Sequence, residues 1–355
     1  MLSVNLSKSF TLNMFTFTFN DCLIGRALPS HVNVYLYNNA QGRSLVHELQ
    51  TAIFPFAISK KLIRNDLLII ATERPPVVPI LLAKLLKPSL TLVWDFHGIT
   101  PPSYHKDTRR LIIDLSRMSI IKWLLKHCNF RIVHSNFIKD EVRRLFNADS
   151  LVLPLGVDLE RFYPLSSADS AKANSGNKFT LLYVGRLVPH KRVDFIIKAI
   201  ATLNDPSVQL LIAGSGEEKG NLESLVKSLG LSAQVVFLGK ISDEELPKLY
   251  QNSDVFVTAS LHEGVCLPIL ESFATGVPVI IPNNTAMIET AEDGCLIYDE
   301  KSVKDLGQKI LLMKSDTSLR LTLSERALEI AFQHSPEKLL RNYERLIKRI
   351  MADFP

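Results

Sequence analysis

The sequence predicts an α/β protein of two domains, each built around a parallel sheet. In the second half, short apolar runs alternate with segments of helical periodicity, which is typical of a parallel sheet covered by helices on both faces. The chain has 355 residues, a length that suits two domains with sizeable cores. A Ser-, Ala- and Asn-rich segment, 166–178, has few apolar residues and predicts a linker between the two halves.

The elements of the first half follow from its apolar runs. The runs at 65–71, 90–95 and 130–135 predict strands, and the apolar segment 77–86 predicts a helix between the first two strands. The segment 109–127 is apolar around almost its whole circumference, with scattered Arg and Lys. It predicts a buried helix, with contact to lipid as the alternative.

The second half is more regular. Its predicted strands are 179–184, 208–213, 234–238, 254–259 and 278–281, with helices between them. Near the end of the chain, the segment 335–351 begins with Ser-Pro and carries apolar residues at helical spacing, so it predicts a final helix.

The composition argues against several classes of protein. Hydrophobic residues make up 46% of the chain, which is typical of a globular rather than a disordered protein. Because no apolar run reaches the roughly 18 residues that span a bilayer, we expect no membrane-spanning helix. The N-terminus lacks a clear signal-peptide pattern. The four cysteines form no CxxC pair, which favours free thiols and a cytoplasmic protein.

Charge is shared unevenly between the two halves. Residues 1–160 carry 19 Lys and Arg against 12 Asp and Glu, whereas the remainder carries 22 against 24. A basic first half favours an anionic acceptor, or peripheral contact with an anionic membrane at its inner surface. Ordinary scatter of surface charge is the alternative, because no polybasic cluster stands out. We expect no nucleic-acid partner.

Two carboxylates, Glu263 and Glu271, lie eight positions apart in the most informative stretch of the chain. The preceding apolar run, 254–259, predicts a buried strand. Pro268 suits the first position of a helix and Gly276 its end. Glu263 is therefore expected in the loop at the carboxyl end of a strand, and Glu271 in the first helical turn. Open α/β sheets bind their ligands at that edge.

This stretch resembles the Glu-x7-Glu motif of retaining, family-4-type glycosyltransferases with the GT-B fold. Other segments resemble the same family in the same order, and together they cover roughly residues 128–300. They are 153–164, 182–187 with Lys191, 211–216, 236–240 and 276–280.

The resemblance also implies the domain organisation. It implies two Rossmann-like domains that face each other across a cleft. The acceptor-side domain would span 1–165 and the nucleotide-sugar-binding domain 178–335. A C-terminal helix, 336–355, would cross back onto the first domain.

The resemblance also implies site residues. Transfer from a nucleotide diphosphate sugar needs cations and backbone N–H donors at the leaving phosphates, and carboxylates for the hydroxyls of ribose and sugar. In this family, Glu271 would accept from the ribose, and Glu263 and His97 would lie beside the donor sugar as the catalytic residues. The implied donor-binding residues are Gly185, Arg186, Lys191, Gly264, Cys266, Leu267 and Glu271.

Several positions depart from the family pattern or admit another interpretation. Val265 and Cys266 stand where the family commonly has Phe and Gly, so the sugar pocket is expected to differ in shape. The opening strand lacks the usual Gly-Gly loop. His262 is predicted to be a surface residue. Arg192 is a candidate to substitute for Lys191, and Asp95 is a weaker candidate beside His97.

The predicted function is transfer of a sugar from a nucleotide diphosphate sugar to a hydroxyl of a glycan, lipid-linked or other acceptor, with retention of anomeric configuration. The alternatives are a GT-B nucleotide-sugar epimerase and an inactive accessory subunit. The resemblance implies no cofactor and no metal. Gly214 and Gly216 superficially resemble a dinucleotide loop, but the spacing of the third glycine is wrong for a dehydrogenase.

Overall fold

The computed structural model describes residues 12–16, 33–36, 67–71, 77–96, 121–165 and 178–339, together with 341, 342 and 345. The chain divides into two compact units. The first comprises Met1–Leu153 with Leu340–Pro355, and the second comprises Pro154–Leu339. Among the described residues, each unit contains a sheet of six strands whose pairings are all parallel. The predicted α/β fold class is therefore confirmed.

The sheet of the first unit has the strand order β2-β1-β3-β4-β5-β6. Its strands are β1 (Leu12–Thr16), β2 (Asn33–Leu36), β3 (Leu67–Ala71), β4 (Thr91–Phe96), β5 (Phe130–Val133) and β6 (Leu151–Val152). Helix α1 (Val77–Leu86) connects β3 to β4, and α2 (Asn136–Phe146) connects β5 to β6. The side chain of Ser135 caps α2 by accepting from the Ile138 N–H.

The core of the first unit lies around β4, which is buried at all six positions. Such a strand is typical of a parallel sheet covered on both faces. Trp94 and Phe96 meet edge to face with their ring centroids 5.1 Å apart. Residues 121–127 are helical and bury Leu124 and Leu125 in this core. This agrees with a buried helix, although 109–120 lie outside the described residues.

The sheet of the second unit has the order β12-β11-β10-β7-β8-β9. Its strands are β7 (Phe179–Val184), β8 (Val208–Ala213), β9 (Val235–Gly239), β10 (Val255–Val257), β11 (Val279–Pro282) and β12 (Cys295–Tyr298). Its helices are α3 (Val193–Leu203), α4 (Lys219–Ser228), α5 (Leu246–Gln251), α6 (Leu267–Ala274), α7 (Thr285–Ala291), α8 (Val303–Ser315) and α9 (Thr317–Gln333). The chain progresses outward from β7 in one direction and then from β10 in the other, so the strand order reverses between these two neighbours.

Alternate residues of β7 point to opposite faces of this sheet, because the side-chain period of a strand is two. Leu181 belongs to a cluster with residues of α3 and α8, whereas Leu182 belongs to a cluster with residues of α6 and α9. Both faces of the sheet are therefore covered by helices.

The unit boundary falls before the position expected from the sequence. The first domain was expected to end at residue 165, but 154–165 group with the second unit. The Val157 N–H donates to the His334 carbonyl at 2.9 Å, and Phe162 is buried in the cluster around α6 and α9. These contacts attach the segment to the second unit, and only 166–177 of the expected linker lie outside the described residues.

No helix in the described part of the chain combines the length and the apolar character needed to cross a bilayer.

Candidate functional site

A cavity of about 230 Å³ opens where the strand order of the second sheet reverses. Carboxyl ends of neighbouring strands diverge at such a point, and open α/β sheets bind ligands there. The walls come from the ends of β7 and β10, the loops after them and the start of α6. The lining residues are Tyr183, Val184, Gly185, Lys191, Thr258, Glu263, Val265, Cys266, Leu267 and Pro268.

The turns beside this cavity are held together by close backbone contacts. The Gly185 N–H donates to the Ala213 carbonyl at 3.0 Å, and the Leu187 N–H donates to the Ser215 carbonyl at 2.9 Å. A Cβ atom on Gly214 would lie 1.9 Å from the Gly185 oxygen, so only glycine fits there. Glycine is therefore required at position 214, because two turns of the backbone pack closely against each other there. This packing explains the glycine without a dinucleotide-binding role.

Lys191 and Glu263 form an ion pair inside the cavity, through Lys191 Nζ and Glu263 Oε1. Lys191 ends a short 3₁₀ turn (Pro189–Lys191) that follows β7, and Glu263 lies in the loop that follows β10. A backbone bond from the Leu261 N–H to the His190 carbonyl, at 2.8 Å, holds the two loops together. The side chains retain 16% and 12% of their exposure, so both charges are largely withdrawn from water but still reachable.

The two neighbouring arginines differ from Lys191. Arg186 is exposed just after β7, and its carbonyl accepts from the Tyr183 hydroxyl at 3.0 Å. The Arg192 guanidinium donates to the Glu300 carbonyl at 2.9 Å and lies 4.0 Å from the ring centroid of Phe195. Because Arg192 is committed to these contacts, the structure does not support it as a substitute for Lys191.

Glu271 lies one residue further into α6 than the sequence predicted, which puts it beyond the first turn. The helix begins at Leu267, with Cys266 as its N-cap, so Glu271 is its fifth residue and the first turn carries no acid. The prediction of a first-turn carboxylate was wrong, because Pro268 occupies the second helical position. Gly276 follows the helix with φ +74°, as expected for its end.

The Glu271 carboxylate is bound by a buried tyrosine. Its Oε2 accepts from the Tyr250 hydroxyl at 2.9 Å. Burial raises the pKa of Glu271, while the Tyr250 hydrogen bond and the charge of Arg161 act in the opposite direction. Tyr250 was not among the residues predicted from the sequence, because its place on an apolar face of α5 predicts only a core residue.

The loop between Glu263 and α6 is less exposed than predicted. His262 retains only 7% exposure and is buried, so the prediction of a surface histidine was wrong. The Ser260 hydroxyl donates to the His262 carbonyl at 3.2 Å, which folds the loop back onto itself. Cys266 is also buried, and burial raises the pKa of its thiol, so it stays neutral. Val265 and Cys266 both line the cavity, so their side chains determine part of its shape.

In the first unit, His97 and the segment after it lie outside the described residues. Asp95, on β4, forms a buried pair with His134, which follows β5. His134 Nε2 lies 2.8 Å from Asp95 Oδ1, and His134 Nδ1 lies 2.8 Å from the Leu153 carbonyl oxygen. His134 was not among the residues predicted from the sequence. Its position at the end of a strand that neighbours β4 was the signal that could have found it.

Two family models match the chain. A model described as glycosyl transferases group 1 matches residues 167–329, and one described as glycosyltransferase family 4 matches residues 24–161. Together they span most of both units.

Curated relatives agree with these models. The chain is 30% identical to the O-antigen chain mannosyltransferase B of Escherichia coli over 264 residues, which cover 71% of this chain and 68% of that relative. It is also 30% identical to the D-inositol 3-phosphate glycosyltransferase of Mycolicibacterium smegmatis, over 63% of this chain. That match covers only 54% of the relative, so the chain spans about half of its length.

Solved structures have the same fold at low sequence identity. Sucrose-phosphate synthase from Thermosynechococcus elongatus superposes with a TM-score of 0.77 at 22% identity, over 96% of this chain and 89% of that one. Anabaena HepE, solved in complex with UDP and glucose, superposes with a TM-score of 0.76 at 19% identity, over 97% of this chain and 100% of that one.

Proposed function

The chain belongs to the group 1, family-4-type glycosyltransferases of GT-B fold, and from this we propose that it moves a sugar from a nucleotide diphosphate sugar to an acceptor hydroxyl with retention of configuration. One observation carries the proposal. The cavity at the reversal of strand order contains both a cation, Lys191, and a carboxylate, Glu263. These are the two kinds of group that the reaction needs, one for the leaving phosphates and one for the sugar.

The cationic side of the cavity suits the departing diphosphate. The leaving group gains negative charge as the bond from the anomeric carbon to the phosphate oxygen breaks, and a fixed cation stabilises that charge most where water is largely excluded. Lys191 meets this condition in the cavity wall. Arg186 is exposed at the same edge and supplies a second cation to the phosphates. With two cations in place, we propose that transfer needs no metal.

The acidic side suits the sugar. The anomeric carbon becomes positive in the transition state, and Glu263 provides a nearby negative charge. Because Lys191 already engages Oε1, Glu263 serves as a stabiliser rather than as a covalent nucleophile. The acceptor hydroxyl then attacks from the face that the phosphate leaves. The bond to the phosphate oxygen breaks, the bond to the acceptor oxygen forms, and the hydroxyl proton goes to the leaving phosphate.

The relatives suggest the substrate classes. One is named as a mannosyltransferase of an O-antigen chain, and HepE was solved with UDP and glucose, so we propose a hexose donor and a glycan or lipid-linked acceptor. The positive surplus of residues 1–160 supports an anionic acceptor or one held at an anionic membrane surface. The two curated relatives described above are named as glycosyltransferases, and this does not favour the epimerase or accessory alternatives.

The test begins with nucleotide binding. UDP, GDP and ADP are titrated while thermal unfolding is followed, with EDTA present throughout. At 100 times its dissociation constant, the correct nucleoside diphosphate should add about 2.7 kcal/mol of stability. Binding of none of the three, or binding that returns only with added metal, would contradict the proposal for the donor site.

The second stage tests the reaction. Hexose donors of the nucleotide that binds are incubated with glycan and lipid-linked acceptors, and the anomeric proton of the product is read by NMR. Retention predicts the same anomeric configuration in donor and product. An inverted product would refute retention, and a new nucleotide sugar formed without acceptor would identify an epimerase.

A further inference from the structure

Tyr250 occupies a fixed place in the core of the second unit. Its side chain is completely buried on α5, with the ring centroids of Phe162 and Phe256 each 6.0 Å from its own. Because the side chain is fully buried against these rings, the direction of its hydroxyl is set by packing. That hydroxyl lies 2.9 Å from Glu271 Oε2.

Packing alone does not explain a tyrosine at this position. Burial of a phenol hydroxyl is unfavourable unless it forms a hydrogen bond, and a phenylalanine would fill the same core without that requirement. The hydroxyl donates to a carboxylate, which makes the bond charge-assisted and stronger than a neutral one. The single described acceptor is Glu271. It lies one helical turn beyond Leu267, and Leu267 lines the cavity.

We propose that Tyr250 is a positioning residue for the ribose end of the donor: it holds Glu271 Oε2 so that Oε1 accepts from the ribose hydroxyls. The inference rests on the proposed function, because it needs a nucleotide in the cavity. It adds a residue whose hydroxyl acts through Glu271, and it predicts that discrimination between ribose and deoxyribose depends on a side chain that does not contact the nucleotide.

The charges around Glu271 make the contribution of Tyr250 to ribose binding dependent on pH. Arg161 favours its ionised form, while the charge of Asp243 disfavours it. Arg161 is also held by Asp243, at 3.3 Å, and lies over the Phe162 ring. Removal of the Tyr250 hydroxyl leaves burial less opposed, so the pKa of Glu271 rises further. A protonated Glu271 accepts less well from ribose, and ribose recognition should therefore recover as pH rises.

The experiment uses the full chain and the nucleoside diphosphate that binds in the panel above, together with its 2′-deoxy counterpart. Dissociation constants are measured by calorimetry at pH 6 and pH 8.5. Four proteins are compared: wild type, Tyr250→Phe, Glu271→Gln and Tyr298→Phe. The last is the matched control, because the Tyr298 hydroxyl is also buried but donates to the Thr258 carbonyl at 3.2 Å, and not to Glu271.

Wild type should bind the ribonucleotide about tenfold or more tightly than the deoxyribonucleotide, the factor expected for one hydrogen bond to a charged group. Tyr250→Phe should reduce that ratio at least threefold at pH 6 and recover part of it at pH 8.5. Glu271→Gln should show a low ratio at both pH values, and Tyr298→Phe should keep the wild-type ratio.

Two outcomes overturn the inference. If Tyr250→Phe keeps the wild-type ratio at both pH values, the residue only packs. If Glu271→Gln keeps that ratio, Glu271 does not contact the ribose and Tyr250 has nothing to position. Both results differ from failure of the proposed function, in which no nucleoside diphosphate binds to wild type.

Discussion

The two sheets each carry an acid–base pair near the carboxyl ends of their strands, and the two pairs differ in how much of each remains reachable. In the second unit, Lys191 and Glu263 keep 16% and 12% of their side-chain exposure and line a cavity. In the first unit, His134 and Asp95 keep 2% and 9%, and both ring nitrogens of His134 lie against oxygen atoms. The first pair can exchange partners with a ligand, whereas the second is closed within the fold.

A charged pair has different consequences in the two settings. A buried pair stabilises little relative to an apolar replacement, but removal of one partner leaves an uncompensated charge and costs several kcal/mol. A pair in a ligand cavity holds its charges ready for a substrate that also carries charge. Variants of the closed pair should therefore change stability, and variants of the reachable pair should change binding.

The largest expected effect is on stability, through the closed pair formed by His134 and Asp95. His134→Ala leaves Asp95 buried without its partner, so the free energy of unfolding should fall by about 3–5 kcal/mol. For units of this size that corresponds to a decrease in melting temperature of roughly 10 °C. Thermal unfolding by circular dichroism measures it. Lys191→Ala is the control and should change the melting temperature far less. Equal losses in the two variants would show that the two pairs contribute alike to stability.

The second effect concerns ligand binding at the reachable pair. Lys191→Ala removes a charge-assisted hydrogen bond to the phosphates and should weaken binding of the nucleoside diphosphate by about 1.5–3 kcal/mol. Glu263→Gln should strengthen binding of the nucleoside diphosphate, because it frees Lys191 from a competing carboxylate. It should also lower kcat, because the negative charge beside the sugar is lost.

Calorimetry and steady-state kinetics measure these two quantities. Lys198→Ala is a matched control, because that lysine pairs with Asp194 on the exposed side of α3. Its binding and kcat should equal those of wild type. Weaker diphosphate binding in Glu263→Gln would show that the carboxylate does not compete for Lys191.

The third effect is the pH dependence of the closed pair. Burial disfavours a charged His134, but the charge and hydrogen bond of Asp95 outweigh this and raise its pKa above the usual value of 6.5. The folded protein therefore binds a proton that the unfolded chain releases above pH 6.5. The stabilisation is complete below that pH and is lost as pH rises through the folded pKa.

We expect the stability of wild type, relative to Asp95→Asn/His134→Gln, to be greater at pH 6 than at pH 9. Denaturant unfolding at the two pH values measures this difference. The double variant lacks both titrating groups, so other pH effects cancel. A difference that grows with pH would mean that His134 is neutral in the folded protein.

The smallest expected effect is on the KM for the acceptor and its dependence on salt. If the positive surplus of residues 1–160 attracts an anionic acceptor, its KM should rise with salt, because the screening length shortens to about 3 Å at 1 M. Binding at the largely buried Lys191 should respond less. Initial rates at several ionic strengths, with liposomes of neutral and anionic lipid, measure it. Independence from both salt and lipid charge would leave the surplus as ordinary surface charge.

The sequence predicted five of the six strands of the second sheet, because the signals are local, but it did not predict β12. The expected strands at 179–184 and 208–213 agree with β7 and β8, and the helix expected at 77–86 agrees with α1. Apolar periodicity identifies such elements without knowledge of their partners. The expected strand at 254–259 is longer than β10, which ends at Val257, because the following residues enter the loop of the cavity.

Burial in loops and distances between elements were not predictable in this way. His262 was expected at the surface and is buried, and Glu271 lies in the second turn of its helix. Neither error comes from a wrong element. Both arise because the position of a side chain depends on the path of a loop or on the residue at which a helix begins.

Periodicity and motif spacing along the chain are enough to identify the alternation of strands and helices, the family and the residue types of the candidate site. Which side chains meet depends instead on the tertiary fold. Lys191 reaches Glu263 across 72 positions, and Tyr250 reaches Glu271 across 21. Such contacts depend on the order of strands in the sheet and on the packing of helices against it, and no local pattern along the chain encodes the distance between two loops.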